Sequence, residues 1–217
     1  RPVLTSGHIN EYMGLIASQG SEPMAQVLET HASVASVQLP DRAIRPEVIR
    51  EVIKACRGAG SLSIVYASMS SPQLHERVIS PHTLVYTGFR WHVRAYCHKR
   101  QAFRDFLLSR IDRTPKLSLE SAPAADVDAL WQEQITLTLI PNALLTTAQQ
   151  ALVERDFSMP DGRLQLTVRK ALAHYTLQRY QAAITEQEAG RVREHPLQLL
   201  PADRVKLDPY LFNSSSE

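Results

Sequence analysis

Apolar residues recur along this chain at two spacings, and the change from one to the other divides it. From Pro46 the spacing is helical: Ile49, Val52, Ile53 and Cys56 share one side of a helix, proline stands where a first turn tolerates it, and Gly58 and Gly60 mark the stop. From Leu62 the period is two. Leu62 to Ala67, Glu76 to Ile79, Thr83 to Tyr86, Arg90 to Cys97 and Ala102 to Ser109 read as five short strands, separated by a Ser/Pro/Gln segment, Pro81, Thr87-Gly88 and a His-Lys-Arg turn. Connections so short leave no room for a parallel crossover, so the pattern predicts a small five-stranded antiparallel barrel behind a leading helix, over residues 44–120.

A Pro/Ala/Asp-containing connection over 121–128 precedes Trp131, where a second unit begins and runs over 131–208. Ile135 to Leu139 alternates as a strand, Asn142 is placed to cap a helix carrying Leu145, Ala148, Leu152 and Val153, and Asp161-Gly162 turns into a strand over Leu164 to Val168. A helix over Lys170 to Gln187 and a strand over Leu197 to Leu200 complete it. Strand, helix, strand, helix, strand reads as a small α/β sandwich. Residues 1–43 read as a connecting arm, with a helical signal over Asn10 to Ala17 and short strand signals over Ala32 to Leu39; the Ser-rich tail within 209–217 reads as disordered.

Charge singles out the barrel. Between Arg77 and Arg113 stand eight Arg or Lys (77, 90, 94, 99, 100, 104, 110, 113) against Asp105 and Asp112, although the chain as a whole carries only +2. Segregation of this kind points to a localised anionic partner. In Arg90-Trp91-His92-Val93-Arg94-Ala95-Tyr96-Cys97, alternation places Arg90, His92, Arg94 and Tyr96 on one face and Trp91, Val93, Ala95 and Cys97 on the other. The second set is expected in the core, with Trp91 as its anchor. Arg104 and Arg110 share parity with Phe106 on the next strand, so pairing is expected to bring two cationic rows together. Guanidinium forks match phosphate oxygens two at a time, and a nearby Tyr or His can stack on a base. The bland alternatives are a solvated Arg104/Asp105 rim and an Arg110/Asp112 ion pair at a strand end.

Composition closes off other classes. With 217 residues, 44% of them hydrophobic, the chain can bury one sizeable core or two small ones, and it holds no apolar run long enough to cross a bilayer and no signal sequence. A cytoplasmic location follows, and Cys56 and Cys97 are read as small core residues rather than a disulfide. His82, His92 and His98 lack a carboxylate or thiolate at metal-ligand spacing, and no Gly-rich phosphate loop, Gly-x-Ser-x-Gly elbow or paired-acid motif is present. No metal, cofactor or catalytic residue is expected, and the chain is not read as an enzyme. It opens on Arg-Pro without an initiator Met and is expected to be part of a longer protein.

Ile64-Val65-Tyr66, Arg77 with Ser80-Pro81-His82, the Arg90 to Tyr96 strand, and Phe103-Arg104-Asp105-Phe106 with Ser109-Arg110-Ile111 together resemble the WYL domain of bacterial transcriptional regulators. Trp91-His92-Val93 corresponds to the Trp-Tyr-Leu triplet that names the family, with histidine in its middle place. The resemblance is closest to regulators encoded beside phage-defence systems. It implies an Sm- or SH3-like barrel, a carboxy-terminal extension that helps to form a homodimer, and operator binding through a winged helix-turn-helix that this chain does not contain. It also implies a ligand pocket on the barrel for a nucleotide or a short single-stranded nucleic acid, built from Tyr66, Ser80, His82, Arg90, His92, Arg94, Arg104 and Arg110. The regulator would be a repressor, cytoplasmic and on the nucleoid when bound to DNA. Two other readings compete: a constitutive single-stranded nucleic-acid module without switching, and a scaffold whose basic face meets an acidic protein.

Overall fold

The computed structural model describes residues 44–121 and 123–207; the expected helix over Asn10 to Ala17, the strands over Ala32 to Leu39 and the Ser-rich tail lie outside them. Helix α1 (Pro46–Gly58) starts with proline in its first turn and stops at Ala59, whose left-handed φ of 49° lets its N–H close on Ala55. Its buried line is Val48, Val52 and Ala55; of the expected line Ile49, Val52, Ile53 and Cys56, Val52 is fully buried and the others lie one position off it. Ile49 and Cys56 pack at the border of the same core.

Five strands follow: β1 (Ser61–Tyr66), β2 (His75–Tyr86), β3 (Trp91–Cys97), β4 (Ala102–Leu107) and β5 (Lys116–Ser118). They form one antiparallel sheet in the order β4-β3-β2-β1-β5. Two of the expected strands are one. Glu76 to Ile79 and Thr83 to Tyr86 lie on a single twelve-residue β2, because Pro81 sits at a bulge between Pro81 and Thr83 where a missing N–H breaks no ladder bond. The fifth strand is Lys116–Ser118, a segment whose pattern is too short to read. No ladder joins β4 to β5 among the described residues, so the sheet is open there, with only an isolated Tyr66–Ile111 bridge. Leu62, Ile64, Ile79, Val93, Ala95, Cys97 and Phe106 form its core with α1. Both cysteines are free, and burial pushes the Cys56 thiol up to about 11.

The second unit comprises α2 (Ala129–Gln132), β6 (Gln134–Pro141), α3 (Thr147–Asp156), β7 (Leu164–Arg169), α4 (Ala173–Arg179), β8 (Ala182–Ala183), α5 (Glu186–Ala189), β9 (Leu197–Leu199) and α6 (Pro201–Leu207). Its sheet has the order β7-β6-β9-β8, antiparallel except for β8 against β9. Leu137, Leu139, Leu177, Leu197 and Leu207 are fully buried in its core. The expected long helix over Lys170 to Gln187 is broken, because Gln181 takes a left-handed φ of 51° and turns the chain into β8. A Thr185/Glu188 capping box then starts α5. Helix α3 is capped by Thr146 and Gln149 rather than by Asn142. Asn142 is instead fully buried and donates its amide to the carbonyls of Ala189 and His195, both at 2.9 Å.

Candidate functional site

Alternation along β3 does what its sequence promises for Val93, Ala95 and Cys97, all 0% exposed. The opposite face, which carries His92 and Arg94, is covered by the second unit rather than open to water. Arg94 is 4% exposed and forks onto Asp128 of the connection, Nε to Oδ2 at 2.7 Å and Nη2 to Oδ1 at 3.0 Å, with Nη1 3.4 Å from Asp105 Oδ1 on β4. The anion on this part of the cationic face is therefore the chain's own.

Further groups complete the hub. His82 Nε2 lies 3.2 Å from Asp128 Oδ2, its Nδ1 is 2.8 Å from Thr83 Oγ1, and its ring meets Phe103 and Trp131 edge-on. Tyr175 on α4 donates its hydroxyl to Asp105 Oδ2 at 3.2 Å. Asp128 Oδ1 also accepts the Trp131 N–H and so caps α2. Burial would raise the Asp128 carboxyl, yet hydrogen bonds and charge from Arg94 outweigh it and hold that carboxyl below its ordinary value. Asp105 goes the other way, raised by burial that Arg94 offsets only in part. Burial lowers His82 despite Asp128, so it is neutral at pH 7.

Two residues earlier on β3 the character changes. His92 is 9% exposed, its ring centre is 5.1 Å from that of Tyr175, and its Nδ1 is buried without a hydrogen-bond partner. Burial and then the positive charges of Arg90 and Arg110 lower its pKa to about 4. A neutral imidazole is thus held beside two half-buried guanidinium groups. Beyond it the β2–β3 turn touches α4 again: Arg179 Nη1 donates to the Gly88 carbonyl at 3.4 Å and lies over the Phe89 ring at 5.5 Å. Gly88 has φ +90°, and a Cβ there would collide with the Arg179 guanidinium.

The structure thus sorts the expected pocket residues into separate places. Arg90, His92 and Arg110 come together, and His82 joins Arg94 in the hub. Tyr66 is buried at the core, its ring edge-on to Phe106 and its hydroxyl accepting the Leu107 N–H at 3.2 Å. Ser80 belongs to a separate chain, 2.7 Å from both Ser61 Oγ and His98 Nε2. Arg104 is exposed and pairs with Ala95, whereas Arg94 pairs with Asp105, so the two arginine rows do not share a face. Trp91, expected in the core, is 45% exposed and packs against Tyr86 at the strand's start. Trp91 opens β3 outside the core cluster that begins at Val93, and parity alone does not mark where the core stops.

Sequence reasoning missed Asp105, Asp128 and Tyr175. Asp105 carried a signal, being one of two acids in a cationic segment and directly preceding Phe106. Asp128 lay in a stretch read only as a connection, and Tyr175 in a helix read only for its period. Among the described residues no group of His, Cys, Asp and Glu is arranged to hold a metal ion, and no helix is long and apolar enough to cross a membrane.

Comparison with known proteins adds the family. A family model described as the WYL domain matches residues 47–115, and one described as the BrxR transcriptional regulator, C-terminal dimerization domain, matches residues 134–205. The DNA-binding transcriptional repressor CapW of Pseudomonas aeruginosa is 35% identical over 210 residues, which is 95% of this chain and 69% of that protein. The chain belongs to the WYL-domain transcriptional repressors of the CapW type. CapW of Escherichia coli (strain KTE188) is 34% identical over 89% of this chain and 65% of its own length. CapW of Stenotrophomonas maltophilia is 37% identical over 72% of this chain and 52% of its own. The chain spans about half to two thirds of the length of these CapW relatives. Among solved structures, the proteasome accessory factor B/C of Arthrobacter aurescens aligns over 87% of this chain and 29% of that one, at 19% identity and a TM-score of 0.35.

Proposed function

We propose that this chain is the effector-sensing and dimerising part of a DNA-binding repressor of a phage-defence operon, its first sheet an Sm/SH3-like module and its operator read by a winged helix-turn-helix elsewhere in the protein. The effector is a nucleotide or a short single strand of nucleic acid. The observation that carries this reading is the Arg90–His92–Arg110 cluster, where a buried ring nitrogen without a partner stands beside two guanidinium groups that form no ion pair among the described residues. A phosphate seated there would meet two forked donors, relieve the repulsion that adds to burial in keeping His92 neutral, and so favour protonation of the ring.

Coupling to the second unit is short. Tyr175 touches the His92 ring and bonds Asp105, so a ligand at His92 acts on α4 directly. A difference of ~2 kcal/mol in ligand affinity between two poses of α4 would shift their balance roughly thirtyfold. The test is titration with fluorescent 5′-phosphorylated single-stranded DNA and RNA trinucleotides and with mononucleotides, at low and high salt, for the wild type and for Arg90→Ala and Arg110→Ala. Saturable binding of one short species, weakened at least about tenfold by either variant, is expected. Equal affinity in both variants would overturn the site.

The constitutive single-strand reading rests on a different observation. Tyr86 and Trp91 are 54% and 45% exposed, with ring centres 4.9 Å apart. If they form a general stacking surface, affinity rises with strand length and falls steadily with salt, and Trp91→Ala weakens it more than Arg110→Ala does.

A further inference from the structure

We propose that the free edge of β7 is the seat of a second copy of this chain, the two β7 strands pairing antiparallel about Thr167 to join two four-stranded sheets into one of eight. The proposal rests on the dimerising reading, and it assigns a surface to that role.

The direction of the hydrogen bonds isolates this edge. Lys170 N–H bonds to the Glu133 carbonyl at 3.0 Å, and the register pairs Gln134 with Arg169 through Leu139 with Leu164. In an antiparallel ladder bonded and non-bonded pairs alternate, so Val168, Leu166 and Leu164 direct their backbone groups to β6. Thr138, whose N–H goes to Asp203 at 3.1 Å and whose carbonyl takes the Leu200 N–H at 2.8 Å, confirms the phase, since it turns away from β7. Gln165 and Thr167 therefore present their N–H and C=O groups outward, on the side where the sheet has no further strand among the described residues.

Side chains agree with the backbone. Leu164, Leu166 and Val168 belong to the core face and pack on the core cluster, yet each is only half-buried. An element beyond the edge would finish their burial. The strand has no proline and no acidic residue, and its polar positions Gln165 and Thr167 are exposed. The other edge, β8, is two buried alanines long and cannot template a partner. Beside Leu164 and Gln165 a cavity of about 630 Å³, also lined by Pro160, Asp161 and Arg163, leaves room for the end of an incoming strand.

Charge selects the register. Pairing centred on Leu166 would set Arg163 of one copy against Arg169 of the other. Centring it on Thr167 sets Gln165 against Arg169 and Leu166 against Val168, so that no like charges oppose within the strand and the half-buried apolar residues meet.

The test uses this chain and two substitutions at one exposed position. Thr167→Pro deletes an outward N–H without touching the β6 ladder, and is expected to weaken dimerisation about tenfold or more by sedimentation equilibrium while the circular dichroism spectrum is kept. Thr167→Cys, with Cys56→Ser to remove the half-buried thiol, places two sulfurs across a bonded pair with Cα atoms roughly 5.5 Å apart and is expected to give a disulfide-linked dimer on mild oxidation. A wild-type dimer that Thr167→Pro leaves intact and Thr167→Cys does not cross-link would overturn this edge while sparing the dimerising reading. A wild type that stays monomeric at all concentrations would overturn both. Should Thr167→Pro fail to fold, the cross-link alone decides.

Discussion

Replacing Arg94 by Met tests whether the first sheet and the second unit are joined by a buried ion pair. The substitution keeps most of the side-chain volume and removes the guanidinium, so the cavity contribution is small and the electrostatic one remains. Asp128 and Asp105 have side chains 2% and 8% exposed and would lose the cation at 2.7 and 3.4 Å. Breaking one partner of such a pair leaves an uncompensated buried charge, and the loss is about 3–5 kcal/mol. In a chain of this size each kcal/mol moves the midpoint by about 2–4 °C, so a fall of roughly 6–20 °C is expected by differential scanning calorimetry at pH 7. The pH dependence carries a second signature. Without Arg94, burial is left as the largest effect on both carboxyls and is expected to hold them above their unfolded values, so that their stability contribution is present at low pH and lost as pH rises through the raised folded values. The variant should therefore regain part of its deficit at pH 5, and Arg94→Met with Asp128→Asn should regain part of it at pH 7. A midpoint within about 2 °C of the wild type at both pH values would refute the buried hub.

Two other perturbations read separate contacts. Gly88→Ala is expected to cost about 1 kcal/mol for its left-handed backbone, measured by urea unfolding, and little beyond that because the exposed Arg179 side chain can swing aside, so Arg179→Ala in the same chain should recover only a small part of the loss. His92 has a folded pKa of about 4 against an ordinary 6.5, so its contribution is intact above pH 6.5 and is lost as pH falls towards 4, by about 3 kcal/mol in all. His92→Phe should flatten the pH dependence of unfolding between pH 7 and 5; an unchanged slope would show that the imidazole is not held neutral by burial.

Periodicity made much of the architecture readable. Val93, Ala95 and Cys97 alternate into the core as their strand requires, and Leu164 to Val168 and Leu197 to Leu200 lie close to the strands they were read as. What was not legible depended on contacts distant in sequence. Pro81 reads as a break but sits at a bulge, and Gln181 carries no mark of the left-handed turn that ends α4. The cationic face of β3 was visible, but its occupants were not, because Asp128 lies 34 residues further on in a stretch with no periodic signal. Arg104 failed to join Arg94 for a simpler reason: register, which one sequence does not supply, put Asp105 opposite instead.

The most direct measurement of the proposed sensor is the ionisation of the His92 ring, followed by ¹⁵N-histidine NMR across pH 4 to 8 with and without a 5′-phosphorylated trinucleotide, and assigned with His92→Phe. Free protein should titrate near pH 4. A rise of one unit or more with the trinucleotide, absent in Arg90→Ala, is expected if its phosphate sits between Arg90 and Arg110, since about 1.4 kcal/mol of favourable charge interaction moves a pKa by one unit. A trinucleotide that binds and leaves this titration unmoved would contradict the Arg90–His92–Arg110 site.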